Sequence, residues 1–96
     1  MDNHFKQYEE AAEKLKALAH PVRLCIVKGL MTKKQCNVSY MQDCLGLPQS
    51  TVSQHLQKLR TLGIIEAERS GLEIHYSIKD PKIMKLVQVL LGEDHL

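Results

Sequence analysis

The sequence predicts a mainly α-helical domain with one small β-hairpin, its elements in the order α-α-α-α-β-β-α. Three observations carry that expectation. Apolar residues recur at helical spacing through most of the chain, and the period changes to two only between residues 64 and 78. Pro21, Pro48 and Pro81 each stand where a new helical pattern begins, a position that suits their fixed φ and missing N–H.

Ninety-six residues make one small domain with a modest core, for which support from a partner chain is expected. Hydrophobic content of 44% and charged content of 25% are ordinary for a globular chain and argue against a disordered one. No apolar run approaches the roughly 20 residues that span a bilayer, and MDNHFKQYEE lacks a signal-peptide core, so a cytoplasmic protein is expected. Three cysteines without a framework spacing fit a reducing compartment and no structural disulfide. No Ser/His/Asp order, phosphate-cradling Gly loop or zinc-protease motif is present, so neither an enzyme nor a cofactor is expected.

In chain order, residues 4–18 place Phe5, Tyr8, Ala12 and Leu15, with Ala11 and Leu18 beside them, on one helical face. Pro21 restarts the pattern, and the second helix should run to about Met31 with Val22, Cys25, Ile26 and Leu30 inward. Thr32 to Cys36, TKKQC, reads as a polar connection. The third helix, Val38 to Leu45, should bury Val38, Met41 and Leu45 and stop at Gly46, which can take the left-handed conformation of a helix end. The fourth, Gln49 to Leu62, carries Val52, Leu56, Leu59 and Leu62 on one stripe. Ile64 to Glu68 and the alternating Glu73 to Ile78 form a hairpin about the turn Arg69-Ser70-Gly71. Asp80 and Pro81 open a last helix, 80–91, with Ile83, Leu86, Val87, Leu90 and Leu91 apolar.

The face of the fourth helix opposite its apolar stripe presents Gln49, Ser50, Ser53, Gln54, Gln57, Lys58 and Arg60, with Thr51 beside them. It holds amides, hydroxyls and cations but no acid, whereas a merely solvated helix face usually mixes both signs. Gln can bond two atoms of a base edge, Ser and Thr can bond bases or phosphates, and Lys or Arg attracts phosphate. The charge is also uneven: residues 1–18 sum to −1, 19–62 to +5 and 63–96 to −2. A basic middle is the footprint of a surface that meets phosphate.

A short helix, a Gly-containing turn and a second amphipathic helix form a helix-turn-helix, and the hairpin that follows is a wing. Arg69, read as the wing tip, is placed to reach phosphate or a minor groove, or is an ordinary turn residue. The fold class is thus a winged helix-turn-helix in a single domain, 1–96. Such a domain needs only three helices and a hairpin, which leaves the terminal helices 4–18 and 80–91 to form a dimer interface or to thicken the core of one chain.

The segments LKALAHPVRLCIVKGL at 15–30, LPQSTVSQHLQKLRTLGII at 47–65 and ERSGLEIHYSI at 68–78 resemble, in order and spacing, the ArsR/SmtB family of small winged-helix repressors. LPQSTVSQHL and GLEIHYSIKDPK look like the PagR-type regulators within it. The resemblance implies a homodimeric repressor that binds a double-stranded, inverted-repeat DNA operator and releases it to an inducer. It implies Gln49, Ser50, Ser53 and Gln54 as DNA-reading positions. The family's known metal sites are matched poorly. Asn37-Val38-Ser39-Tyr40 stands where a Cys-x-Cys type motif would be, with Cys36 one residue earlier, and Lys82 stands where the zinc site that begins at Asp80 needs a His. Glu93 and His95 do not complete a tetrahedral set, so no metal is expected.

Cys25 on the inward face of the second helix and Cys44 beside Met41 read as small buried apolar residues. Cys36, in a polar loop after Lys33 and Lys34, reads as the reactive thiol, since neighbouring cations lower a thiol pKa. A disulfide switch would need Cys25, Cys36 and Cys44 in some combination, or a bridge between chains. His20 is expected to help start the second helix and His55 to lie near phosphate. His75 should face outward on the wing, and His4 and His95 should be solvated. The alternative function is a thiol-redox or metal-handling protein that keeps the fold without binding DNA.

Overall fold

The computed structural model describes residues 4–92. Glu93 and His95 therefore lie outside the described residues. The elements are α1 (Phe5–Leu18), α2 (Pro21–Lys33), α3 (Val38–Leu45), α4 (Gln49–Thr61), β1 (Ile65–Ser70), β2 (Glu73–Ile78) and α5 (Pro81–Leu91). The order is the one the sequence predicts, and no boundary differs by more than two residues. Among the described residues no helix is long and apolar enough to cross a membrane.

The core is built around α4. Val52, Leu56 and Leu59 are buried against Ile26, Val27 and Leu30 of α2, Met41 of α3, Ile64 and Ile65 at the start of the wing, and Ile83 and Val87 of α5. The stripe at spacings of four and three is thus the inner face of the helix, and Leu62 packs at its edge.

Helix starts and stops follow side-chain chemistry. The His20 ring accepts a hydrogen bond from the Val22 N–H at 3.2 Å, one turn residue before Pro21 begins α2. Asn37 caps α3 by accepting from Tyr40 N–H at 2.9 Å, and its amide donates to Glu73 at 2.6 Å, fastening α3 to the wing. Gly46 ends α3 at φ 67, a conformation that costs other residues about 1–2 kcal/mol. Asp80 caps α5 by accepting from Lys82 N–H at 3.0 Å.

Of α1 only Ala17 and Leu18 are buried, while Phe5, Tyr8 and Leu15 are exposed, so their apolar face does not thicken the core of one chain. Two other sequence expectations are corrected. The second helix runs on to Lys33, and Lys34 then takes φ 73 to turn the chain. This sharp turn brings Cys36 into an antiparallel bridge with Tyr76, so the segment expected as a polar connection ends inside the domain.

In the hairpin, β1 and β2 pair antiparallel from Ile65 with Ile78 to Ser70 with Glu73. Arg69 and Ser70 are strand residues, and the turn is Gly71-Leu72. Gly71, at φ 66, supplies the positive φ that a two-residue hairpin with Gly first requires. Arg69 sits opposite Ile74, and the tip belongs to the fully exposed Leu72.

Candidate nucleic-acid interface

The left-handed turn at Gly46 reverses the chain between α3 and α4, so that α4 packs one face on the core and turns the other out. Gln49, Ser50, Ser53, Gln54, Gln57 and Lys58 are all exposed on that face, and Arg60 with them. Thr51 is half-buried, at the edge between the two faces. Pro48 opens the helix without a side-chain cap, which leaves the first N–H groups and the positive end of the helix dipole open to an anion. Lys58 and Arg60 lie in the last turn, where a cation also complements the dipole. The face therefore offers base-edge partners in its middle and phosphate partners at both ends. Arg69 is exposed on a separate element, strand β1, one residue short of the strand end.

His55 does not stand free for phosphate. Its Nδ1 accepts from Arg23 Nε at 3.1 Å, and its ring lies 4.6 Å from that of His20. Arg23 also donates to the Ala17 carbonyl at 3.4 Å, so one guanidinium joins the end of α1, the start of α2 and the middle of α4. Burial, followed by the neighbouring His20 and Arg23, keeps the His55 pKa below its ordinary value. This node escaped the sequence reading, since nothing local relates Arg23 to a residue 32 positions away.

The thiols are placed opposite to expectation. Cys25 and Cys44 are exposed and Cys36 is buried. Burial raises the Cys36 pKa and outweighs Lys33, which acts to lower it, while the nearby Cys44 raises it further. The three cysteines nevertheless share one place, since all line a cleft of about 260 Å³ between α2 and α3.

At the start of α5, the Asp80 carboxylate receives Lys14 Nζ at 2.7 Å as well as the Lys82 N–H. The Lys14 hydrogen bond is the main reason its pKa is depressed. Among the described residues no three His, Cys, Asp or Glu side chains are grouped to hold a metal. His75 is half-buried and lies 3.6 Å from Glu73.

An amphipathic α4 held by a tight turn, with a two-stranded hairpin after it, defines a winged helix-turn-helix DNA-binding module. The comparisons narrow that class. A helix-turn-helix domain family matches residues 18–68. The transcriptional repressor PagR of Bacillus anthracis is 46% identical over 86 residues, which cover 90% of this chain and 86% of PagR. The repressor SmtB of Mycobacterium tuberculosis is 42% identical over 82% of this chain, which spans 58% of that protein. The crystal structure of PagR superposes with a TM-score of 0.83 over 91% of this chain and 99% of PagR. A Mycobacterium bovis winged helix-turn-helix DNA-binding domain, described as homodimeric, superposes at 0.84 with 27% identity, over 95% of this chain and 83% of that domain. The chain belongs to the ArsR/SmtB family of winged helix-turn-helix repressors.

Proposed function

We propose that this chain is a cytoplasmic transcriptional repressor that acts as a homodimer on an inverted-repeat operator, with α4 of each subunit in a major groove. The observation that carries this reading is the exposed, acid-free face from Gln49 to Arg60 on a helix whose other face is fixed in the core. Gln49, Ser50, Thr51, Ser53, Gln54 and Gln57 are assigned to DNA edges and backbone, and Lys58 to phosphate. Arg69 is assigned to phosphate from the side of the wing rather than from its tip.

The dimer reading is supported by the apolar residues that one chain leaves uncovered. Phe5, Tyr8 and Leu15 on α1 and Val89, Leu90 and Leu91 on α5 are all more than half exposed. Lys14 and Asp80 hold these two helices together, so the uncovered residues lie on adjoining elements. Two such faces placed together bury the surface that each chain exposes, and the reading requires the two α4 helices to lie one DNA turn apart, about 34–36 Å. Release by a thiol-directed signal is assigned to the cleft that Cys25, Cys36 and Cys44 share.

The test is selection of bound duplexes from a random pool. Enrichment of an inverted repeat supports the reading. Equal retention of all duplexes contradicts it.

A further inference from the structure

The cleft between α2 and α3 has a composition that its role in the core does not require. Ile26 and Leu30 from one side and Met41 and Leu45 from the other make its walls apolar. Its lining includes one charged group, Lys33, and no carboxylate. The Lys33 ammonium sits 4.7 Å from the centre of the Tyr40 ring, at the end of α2 where the chain turns. A Cβ added at Gly29, on the α2 side, would meet nothing within 4 Å, so the space beside it is open. Cys25 and Cys44 reach this cleft from different helices, and both are also open to solvent.

These features select a ligand with an apolar body, one acceptor oxygen and one carbon that a thiol can attack. A hydrocarbon would leave Lys33 and the thiols unused, and a small polar oxidant would gain nothing from the apolar walls. We propose that the cleft captures apolar α,β-unsaturated carbonyl compounds, with Cys25 or Cys44 as the thiol that adds to them. The apolar body lies among Ile26, Leu30, Met41 and Leu45, and the carbonyl oxygen accepts from Lys33. The cysteine sulfur forms a bond to the β-carbon, and the carbon–carbon π pair moves towards the carbonyl, giving an enolate beside the ammonium. The proton given up by the thiol ends on the α-carbon. Nothing leaves, and no electrons are gained or lost overall, so no oxidant is needed.

Cys36 is not the attacking group, because its burial disfavours the thiolate. The consequence for DNA rests on the repressor reading above: α3 leads through Gly46 directly into α4, so a body wedged between α2 and α3 displaces the helix that meets the operator. The addition itself can be measured without DNA, which keeps the two readings separable.

The experiment treats the reduced, DNA-free protein with benzalacetone, an apolar enone, or with acrylamide, a polar acceptor, and follows adducts by intact mass and peptide mapping. The cleft predicts one benzalacetone adduct, on Cys25 or Cys44, at a rate that saturates with concentration, while acrylamide reacts without saturation. Gly29→Leu fills the open side of the cleft and should slow benzalacetone about tenfold or more while leaving acrylamide within about twofold. Gly29→Ala, which favours the helix and fills less, should give an intermediate rate with the fold retained by circular dichroism. Lys33→Met should slow benzalacetone by about tenfold through loss of the charged hydrogen bond. An adduct on Cys36 alone, or benzalacetone rates that are linear and indifferent to Gly29→Leu, would overturn the proposal.

Discussion

Arg23 of α2 donates through Nε to Nδ1 of His55 in the middle of α4, across 3.1 Å. The bond exists only while His55 is neutral at that nitrogen, and its pKa is held below the ordinary 6.5 by burial and by His20 and Arg23. A depressed folded pKa means that the unfolded chain binds the proton more readily. The contribution is therefore fully present above 6.5 and is lost as pH falls through the lower folded value. The urea midpoint should therefore drop as pH falls below 6.5 and through the lower folded value. His55→Asn keeps an acceptor for Arg23 but cannot titrate, so it should show a shallower drop. Identical pH profiles for the two proteins would remove His55 from the account.

Asp80 does two jobs at the start of α5, capping Lys82 N–H and pairing with Lys14 at 2.7 Å. Asp80→Asn keeps a capping acceptor and loses the charge, so it should cost about 1 kcal/mol or less, given that the pair is partly open to water. Asp80→Ala loses both, and the missing cap should add about 0.5–2 kcal/mol. The carboxylate pKa is depressed below 3.8, so the wild-type advantage over Asp80→Asn is present above that value and fades as pH falls through the folded pKa. Equal unfolding free energies for the two variants at neutral pH would show that the cap contributes nothing.

Leu90 is 64% exposed on α5, next to Val89 at 81% and Leu91 at 53%. In a single chain a charge there meets only water, and surface changes of that kind stay within about 0.5 kcal/mol. In a dimer built on α1 and α5 it would be buried without a partner. Leu90→Glu should therefore sediment as a monomer at concentrations where the wild type is a dimer. If both sediment alike as dimers, the interface lies elsewhere.

Much of the fold was legible in the sequence because its signals are local. Pro21, Gly46 and Asp80-Pro81 mark helix ends by backbone and capping chemistry, and Val52, Leu56 and Leu59 reveal one face of α4 by spacing alone. What failed was inference about which apolar residue ends up inside. Phe5, Tyr8 and Leu15 recur at helical spacing, which marks an apolar face without saying what covers it. The cysteines failed for the same reason. Cys36 follows two lysines in the chain, but the turn at Lys34 pairs its backbone with Tyr76 and buries it, while Cys25 and Cys44 line, still exposed, a cleft that only the placement of α2 beside α3 creates. Arg69 is a strand residue and not a turn residue, because the hairpin reverses two residues later than Arg69-Ser70-Gly71 implies, at Gly71-Leu72. The links from Arg23 to His55 and from Lys14 to Asp80 join residues far apart in sequence and left no local trace.

In the proposed function the exposed amide and hydroxyl face of α4 reads bases while its cations hold phosphate. The most direct measurement compares wild type, Gln54→Ala and Lys58→Ala on the selected operator and on all its single-base variants, across a salt series. Gln54→Ala should lose about 1–3 kcal/mol of discrimination at one position in each half-site and leave the salt slope unchanged. Lys58→Ala should weaken all sequences alike and reduce the salt slope by about one per subunit. If instead Gln54→Ala leaves preference intact at every position, the face from Gln49 to Arg60 is not the reading surface.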